Sequence, residues 1–172
     1  MSKYVQGNLL NLFYHDGTSW KTLGYTQNNS LSLSNETTSI SSKDHGLNPE
    51  TEVTGSSWSL SGECYFTSDN ADVIIGMHEK KTPFSFAFGQ VDQSDYAAGL
   101  KAVSGADGGA DAWTISKSPF IRYGNGLVTS ATITANNGEV ASLQIEVTGS
   151  GAMSAKAPTA PKSYTKTTEG TE

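Results

Sequence analysis

The chain has 172 residues, with 17 acidic side chains against 11 Lys and Arg and a formal net charge of −6. Charged residues make up 16% and hydrophobic residues, without Gly, 35%, against ~25% charged and ~45–50% apolar counted with Gly in ordinary globular domains. The difference lies in 23 Ser, 19 Thr and 18 Gly, the composition of a turn-rich β protein with a hydroxyl-covered surface. A lone cysteine, Cys64, excludes an intrachain disulfide framework. A lone arginine, Arg122, leaves no basic cluster for specific nucleic-acid binding. The longest apolar run, Val73-Ile74-Ile75, is far short of the ~20 residues of a membrane span. The first twenty residues lack a basic stretch leading into an apolar core, so the expected compartment is the cytoplasm of the producing cell.

Period-2 alternation dominates the chain from its start. In 9–15, Leu10, Leu12 and Tyr14 share one face while Leu9 and Phe13 make the other face apolar too. Asp16-Gly17 supplies a turn, and Trp20 to Tyr25 is expected back as a hairpin partner. In 31–41, Leu31 and Leu33 are expected inward, with Ser32 and Ser34 outward. Residues 43–56 lack periodicity and read as a long loop or an extended hairpin tip. In 57–66, Trp58, Leu60, Cys64 and Phe66 face one way and Ser57, Ser59, Ser61, Glu63 and Tyr65 the other.

A helix is predicted over about 68–79, capped by Ser68 or Asp69, with Val73, Ile74 and Met77 as its apolar stripe and Pro83 beyond its end. Phe84, Phe86 and Phe88 form the next strand, followed by a Gly-rich loop over 92–112. Val128 to Ala135 and Leu143, Ile145 and Val147 read as antiparallel strands around Asn137-Gly138. Pro158 and Pro161 sit among Lys, Ser and Thr in an expected flexible tail, dividing the chain into a domain of 1–153 and a tail of 154–172.

Nothing in this pattern argues for catalysis, a metal or a cofactor. His15, His45 and His78 stand at no metal-ligand spacing, and a zinc-protease helix starting at His78-Glu79 would need His where Thr82 stands. Asp107 and Asp111 match no calcium-loop pattern. No Gly-x-Ser-x-Gly elbow occurs, and Cys64 lies mid-strand on the apolar face. Glu50, Glu52 and Glu63 are the carboxylates from which a glycosidase pair could be drawn.

The order of the segments carries more than any one of them. It runs Asn11-Leu12-Phe13-Tyr14-His15-Asp16-Gly17-Thr18-Ser19-Trp20, the alternating Leu-Ser strand, Ser41-Ser42-Lys43-Asp44, Trp58-Ser59-Leu60-Ser61-Gly62, the helix, and Phe88-Gly89. It closes with Gly126-Leu127-Val128-Thr129-Ser130-Ala131, Gly138-Glu139-Val140-Ala141 and Val147-Thr148-Gly149-Ser150-Gly151. Over residues 9–152 this order resembles the major tail protein, or tail tube protein, of long-tailed bacteriophages.

The resemblance implies a mainly β fold, an antiparallel β-sandwich or barrel with one short flanking helix. It implies hexameric rings that stack into a tube, with inner strands of neighbouring subunits joined into a barrel around a channel for DNA. The loop at 43–56 would reach the next ring, with Lys43, Asp44, His45, Leu47, Asn48, Glu50, Glu52 and Val53 as its contact residues. Partners would be the chain itself and the tape measure, initiator and terminator proteins of a tail; DNA would pass without specific binding. No membrane is implied. The protein would reside in the virion tail after assembly in the host bacterial cytoplasm. Glu36, Glu63 and Glu146 lie on the polar faces of their strands and are the expected lumen-facing residues, since like-charged walls repel a phosphate backbone.

A carbohydrate-binding β-sandwich is the main rival and would present Trp20, Trp58 and Trp113 as a stacking platform. Trp58 shares its face with Leu60 and Cys64, which favours the core. A small hydrolase is the third class.

Overall fold

The computed structural model describes residues 4–23, 26–91 and 120–166. Its elements are β1 (Leu10–His15), β2 (Trp20–Thr22), β3 (Thr26–Ile40), β4 (Glu50–Tyr65), α1 (Ser68–Lys80), β5 (Phe84–Gln90), β6 (Ile121–Thr134) and β7 (Ser142–Ser154), with a 3₁₀ turn at Lys43–His45 between β3 and β4. The expected Gly-rich loop, Asp107, Asp111 and Trp113 lie outside the described residues.

All seven strands belong to one sheet in the order β2-β1-β5-β6-β7-β4-β3, and every neighbouring pair is antiparallel. The expected antiparallel β fold with its flanking helix is thus built from one continuous sheet. Its far strands approach one another, and the Asn29 side-chain amide donates to the Leu10 carbonyl at 3.3 Å. Curling lets a single sheet enclose a core that two stacked sheets would otherwise sandwich.

The two-sided apolar character of 9–15 has a direct structural reason, which the strand at 84–88 shares. Leu12, Tyr14, Phe84, Phe86 and Phe88 join Leu60, Ile145 and Val147 in the main core, while Leu9, Phe13 and Ala87 form a second cluster with Val91 and Tyr123 on the opposite face. Strands covered on both faces lose the polar half of the alternation. On the β4 and β7 side only one face is covered, and there the alternation is clean.

Helix α1 closes the open side of the main core with Ala71, Ile74 and Met77. Its cap is Thr67, one residue before the expected Ser68 or Asp69: the Thr67 hydroxyl accepts from the Asn70 N–H at 3.2 Å. Lys81 ends the helix in the left-handed conformation, with a φ of 52°.

Two apolar expectations are corrected. Leu33 is 67% exposed because β3 and β4 run past the body at that point, and Phe66 is 38% exposed because the chain has left β4 for the helix. Trp58 is core, as its register implied. Its indole lies over Gly149, Gly124 and Gly126, where a Cβ at any of the three would come within 2.5 Å of it or its neighbours, and its Nε1–H donates to the Gly151 carbonyl at 2.7 Å.

The segment after β7 is not a free tail as far as Lys166. Lys162 and Ser85 exchange two hydrogen bonds of 2.8 Å, and the Tyr164 N–H donates to the His15 carbonyl at 2.9 Å. Tyr164 is 6% exposed, set edge-on to Phe84 and filling the space opened by Gly76. Small and polar residues flank a single aromatic anchor, which is why composition alone reads as disorder.

Candidate functional site

Strands β3, β4, β7 and the second half of β6 expose a face made almost wholly of hydroxyls, amides and carboxylates. The register Ser30↔Ser61, Ser61↔Glu146 and Ser130↔Glu146 puts these side chains on one surface. Hydroxyls bond across it: Ser30 Oγ and Ser61 Oγ are 2.6 Å apart, and Thr129 Oγ1 and Thr148 Oγ1 3.3 Å.

The register also places Glu36, Glu63 and Glu146 on this same face. Glu36 lies opposite Gly55, two and four residues before Ser57 and Ser59, and Glu63 lies opposite Gln144 and Asn28. Glu63 accepts from Asn28 Nδ2 at 3.2 Å, and Glu36 and Glu146 are exposed. No Lys or Arg occupies β3, β4 or β7, nor the part of β6 beyond Gly126. Among the described residues, the charges that these strand segments place on the face are therefore acidic.

Among the described residues, both sides of this four-strand face end in backbone that pairs with no further strand. On β3 the far side bears none of the described strands. On β6 the ladder with β5 stops at Phe84↔Gly126, so Leu127 to Thr134 pair only with β7. Two long edges of this kind invite pairing with another chain. Sequence reasoning missed the β6 edge, because nothing local says where β5 stops.

Beyond Leu33 and Trp58, β3 and β4 leave the body as a ribbon. Residues 34–44 and 46–57 are exposed apart from the half-buried Gly55. Strand β4 begins at Glu50, so Glu50, Glu52 and Val53 are strand residues and not loop; only 41–49 form the connection, with Gly46 at a φ of 61°. Lys43, Asp44 and His45 make the 3₁₀ turn, and Leu47 stands 98% exposed at the tip.

The ordinary signs of a catalytic centre do not converge. Glu63 lies roughly 36–43 Å along β4 from Glu52 and Glu50, beyond the ~9.5 Å limit of a glycosidase pair, and Glu50 and Glu52 stand exposed together on the strand and line none of the described clefts. Among the described residues no three His, Cys, Asp or Glu are grouped to hold a metal ion, and no helix is long and apolar enough to cross a membrane. Burial pushes the Cys64 thiol up to about 11. A cleft of about 290 Å³ beside the C-terminal segment is lined by charges that already pair, Lys21 with Asp16 at 3.1 Å and Lys166 with Asp69 and Asp72 at 3.1 and 3.0 Å. Trp20 packs against Tyr123 and Trp58 is buried, so neither lies flat on the surface as a sugar platform would require.

No family model and no curated protein matches the sequence. Solved structures do match the fold. The tail of an empty gene transfer agent particle, refined with C6 symmetry, superposes with a TM-score of 0.64 at 16% identity, over 90% of this chain and all of that one. The SPP1 tail tube gives 0.62 at 8% identity, over 91% and 82% of the two chains. The baseplate of the anti-feeding prophage gives 0.57 at 9% identity, over 90% and 96%. The chain thus has the fold of tail tube proteins, mainly β with one flanking helix.

Proposed function

We propose that the chain is the structural subunit of a phage-type tail tube, in which rings of six copies stack around a channel that passes DNA. The observation that carries this is the acid-and-hydroxyl face bounded by two unpaired edges. Strand β3 runs toward the ribbon and β6 runs away from it. A neighbour related by rotation about an axis along the strands therefore offers its β6 edge to β3 in the antiparallel sense, and the alternation continues around the ring. Six such faces give 24 strands, and at ~4.8 Å per strand the ring is about 37 Å across, or about 48 Å at a ~40° tilt. That bore clears a DNA duplex after side chains are allowed for.

The channel surface on this reading carries Glu36, Glu63 and Glu146 and a lawn of hydroxyls. Acidic walls repel phosphates and keep transit free of sticking. The ribbon bearing Lys43, Asp44, His45, Leu47, Asn48, Glu50, Glu52 and Val53 reaches the next ring. Closing both edges around a ring also removes the aggregation hazard of open strands. The tube belongs to a virion or particle tail assembled in the host bacterial cytoplasm, where the chain meets its own copies and the tape measure, initiator and terminator proteins.

Electron microscopy of the concentrated protein, negatively stained, tests this directly. Six-fold rings or hollow tubes are the expected result; a monomer that persists at high concentration, with and without extract of producing cells, overturns the proposal.

A further inference from the structure

The ribbon needs a receiving surface, and the distribution of exposed apolar side chains identifies one. Leu33, Leu47 and Val53 are 67%, 98% and 57% exposed on the ribbon. At the opposite end of the same strands, where β6 turns into β7 and β4 gives way to α1, Phe66, Ile133 and Val140 are 38%, 46% and 71% exposed. The strand residues of the two groups, Leu33, Val53 and Ile133, share a side of the sheet. Leu33 lies opposite Trp58 and Ile133 opposite Leu143, both core residues, and Val53 opposite Thr37 continues that face along the ribbon. Phe66 is tied to the turn by its N–H bond to the Ala141 carbonyl at 2.8 Å.

We infer that the turn end of one copy, formed by Phe66, Ile133 and Val140, is the docking surface for the ribbon of a copy in the adjacent ring. This rests on the tube reading above and adds the residues that receive the ribbon. The occupant is a second copy for two reasons. The ribbon is about two dozen residues long with both faces in water, which matches the ~20–30 residues that one side of a standard interface contributes, and an isolated two-stranded ribbon is marginal alone. The two apolar patches are unlike and lie at opposite ends, so their contact is heterologous, and translation along the strands repeats it without closure. Stacking is therefore polar: each ring offers ribbons at one end and receives them at the other.

The test uses the full chain with Val140→Asp as the receiving-end variant, Phe66→Ser as its independent second, and Leu47→Asp with Val53→Ser as the ribbon variant. Circular dichroism checks folding. Each variant alone is expected to lose tubes in electron micrographs while keeping rings. An equimolar mixture of ribbon-variant and Val140→Asp rings is expected to give stacks of two rings and no longer, because only one compatible end pair remains. Tubes of wild-type length from both Val140→Asp and Phe66→Ser overturn the docking surface and leave the tube reading intact. Failure of the wild-type chain itself to form rings or tubes overturns the tube reading, and the docking surface with it.

Discussion

Trp58 and Tyr164 show how two single side chains organise the interior. The Trp58 indole occupies a space kept open by Gly124, Gly126 and Gly149, where a Cβ at Gly149 would lie 2.3 Å from the ring. Gly149→Ala is therefore expected to lower stability by about 1–3 kcal/mol, the usual cost of overpacking, read as the shift in a urea unfolding midpoint. Cys64, with its thiol pushed up to about 11 by burial, is expected to resist a thiol reagent at pH 8 in the native protein and to react on unfolding. Asp16 illustrates the electrostatic balance at this scale. Burial alone would raise its pKa, but the Ser19 and Thr18 N–H groups and the Lys21 ammonium outweigh it, and the net direction is down. A carboxyl depressed on folding stabilises above its unfolded pKa, and that contribution disappears as pH falls through the folded value. Asp16→Asn is thus expected to flatten the loss of stability below about pH 4, as measured by denaturant midpoints at several pH values.

At the scale of elements, the C-terminal segment and the ribbon are opposites. Residues 162–166 lie against α1 and the ends of β1 and β5, anchored by Tyr164, with Lys166 bridging Asp69 and Asp72. Tyr164→Ala removes a buried ring and is expected to destabilise by about 3–5 kcal/mol in line with other aromatic truncations, while exposing the segment to limited proteolysis near Lys162. The ribbon, by contrast, contributes little to the body's core. Replacing 45–53 by a short Gly-Ser linker is expected to leave the thermal midpoint of the monomer within a degree or two of wild type while abolishing ring stacking in micrographs. Long tubes from that variant would remove the ribbon from the assembly.

For the whole molecule, charge placement is what the proposed tube would use. The formal charge is −6, and the face carrying Glu36, Glu63 and Glu146 is built of acids and hydroxyls, with none of the described lysines in its strands. Glu146 is exposed, so on the proposed tube reading Glu146→Lys is expected to leave assembly unchanged and to slow DNA delivery, because six added cations per ring would hold phosphates as they pass. Glu63→Lys is expected to act in the same direction, with a smaller cost in stability from the lost Asn28 contact. Particle infectivity or transfer efficiency, normalised to intact tails, measures both; unchanged delivery would place these residues outside the channel.

Local chemistry determined much of this protein by itself. Alternation of Ser with Leu, Trp and Cys marked β4 and its polar face, the capped apolar stripe over about 68–79 marked a helix, and the alternations at 9–15 and 84–88 marked strands. These are properties of neighbours in the chain, where side-chain direction follows from backbone period. What only the tertiary structure decided was non-local. The sheet curls instead of stacking, because its far strands meet through Asn29 and Leu10. Leu33 is exposed, because the body ends before its strand does. The β6 edge is free, because β5 is shorter than its partner. Residues to Lys166 are ordered, because one tyrosine finds a space that a glycine in a distant helix leaves open. In each case the deciding partner lies many residues away, where a pattern read along the chain has no term for it.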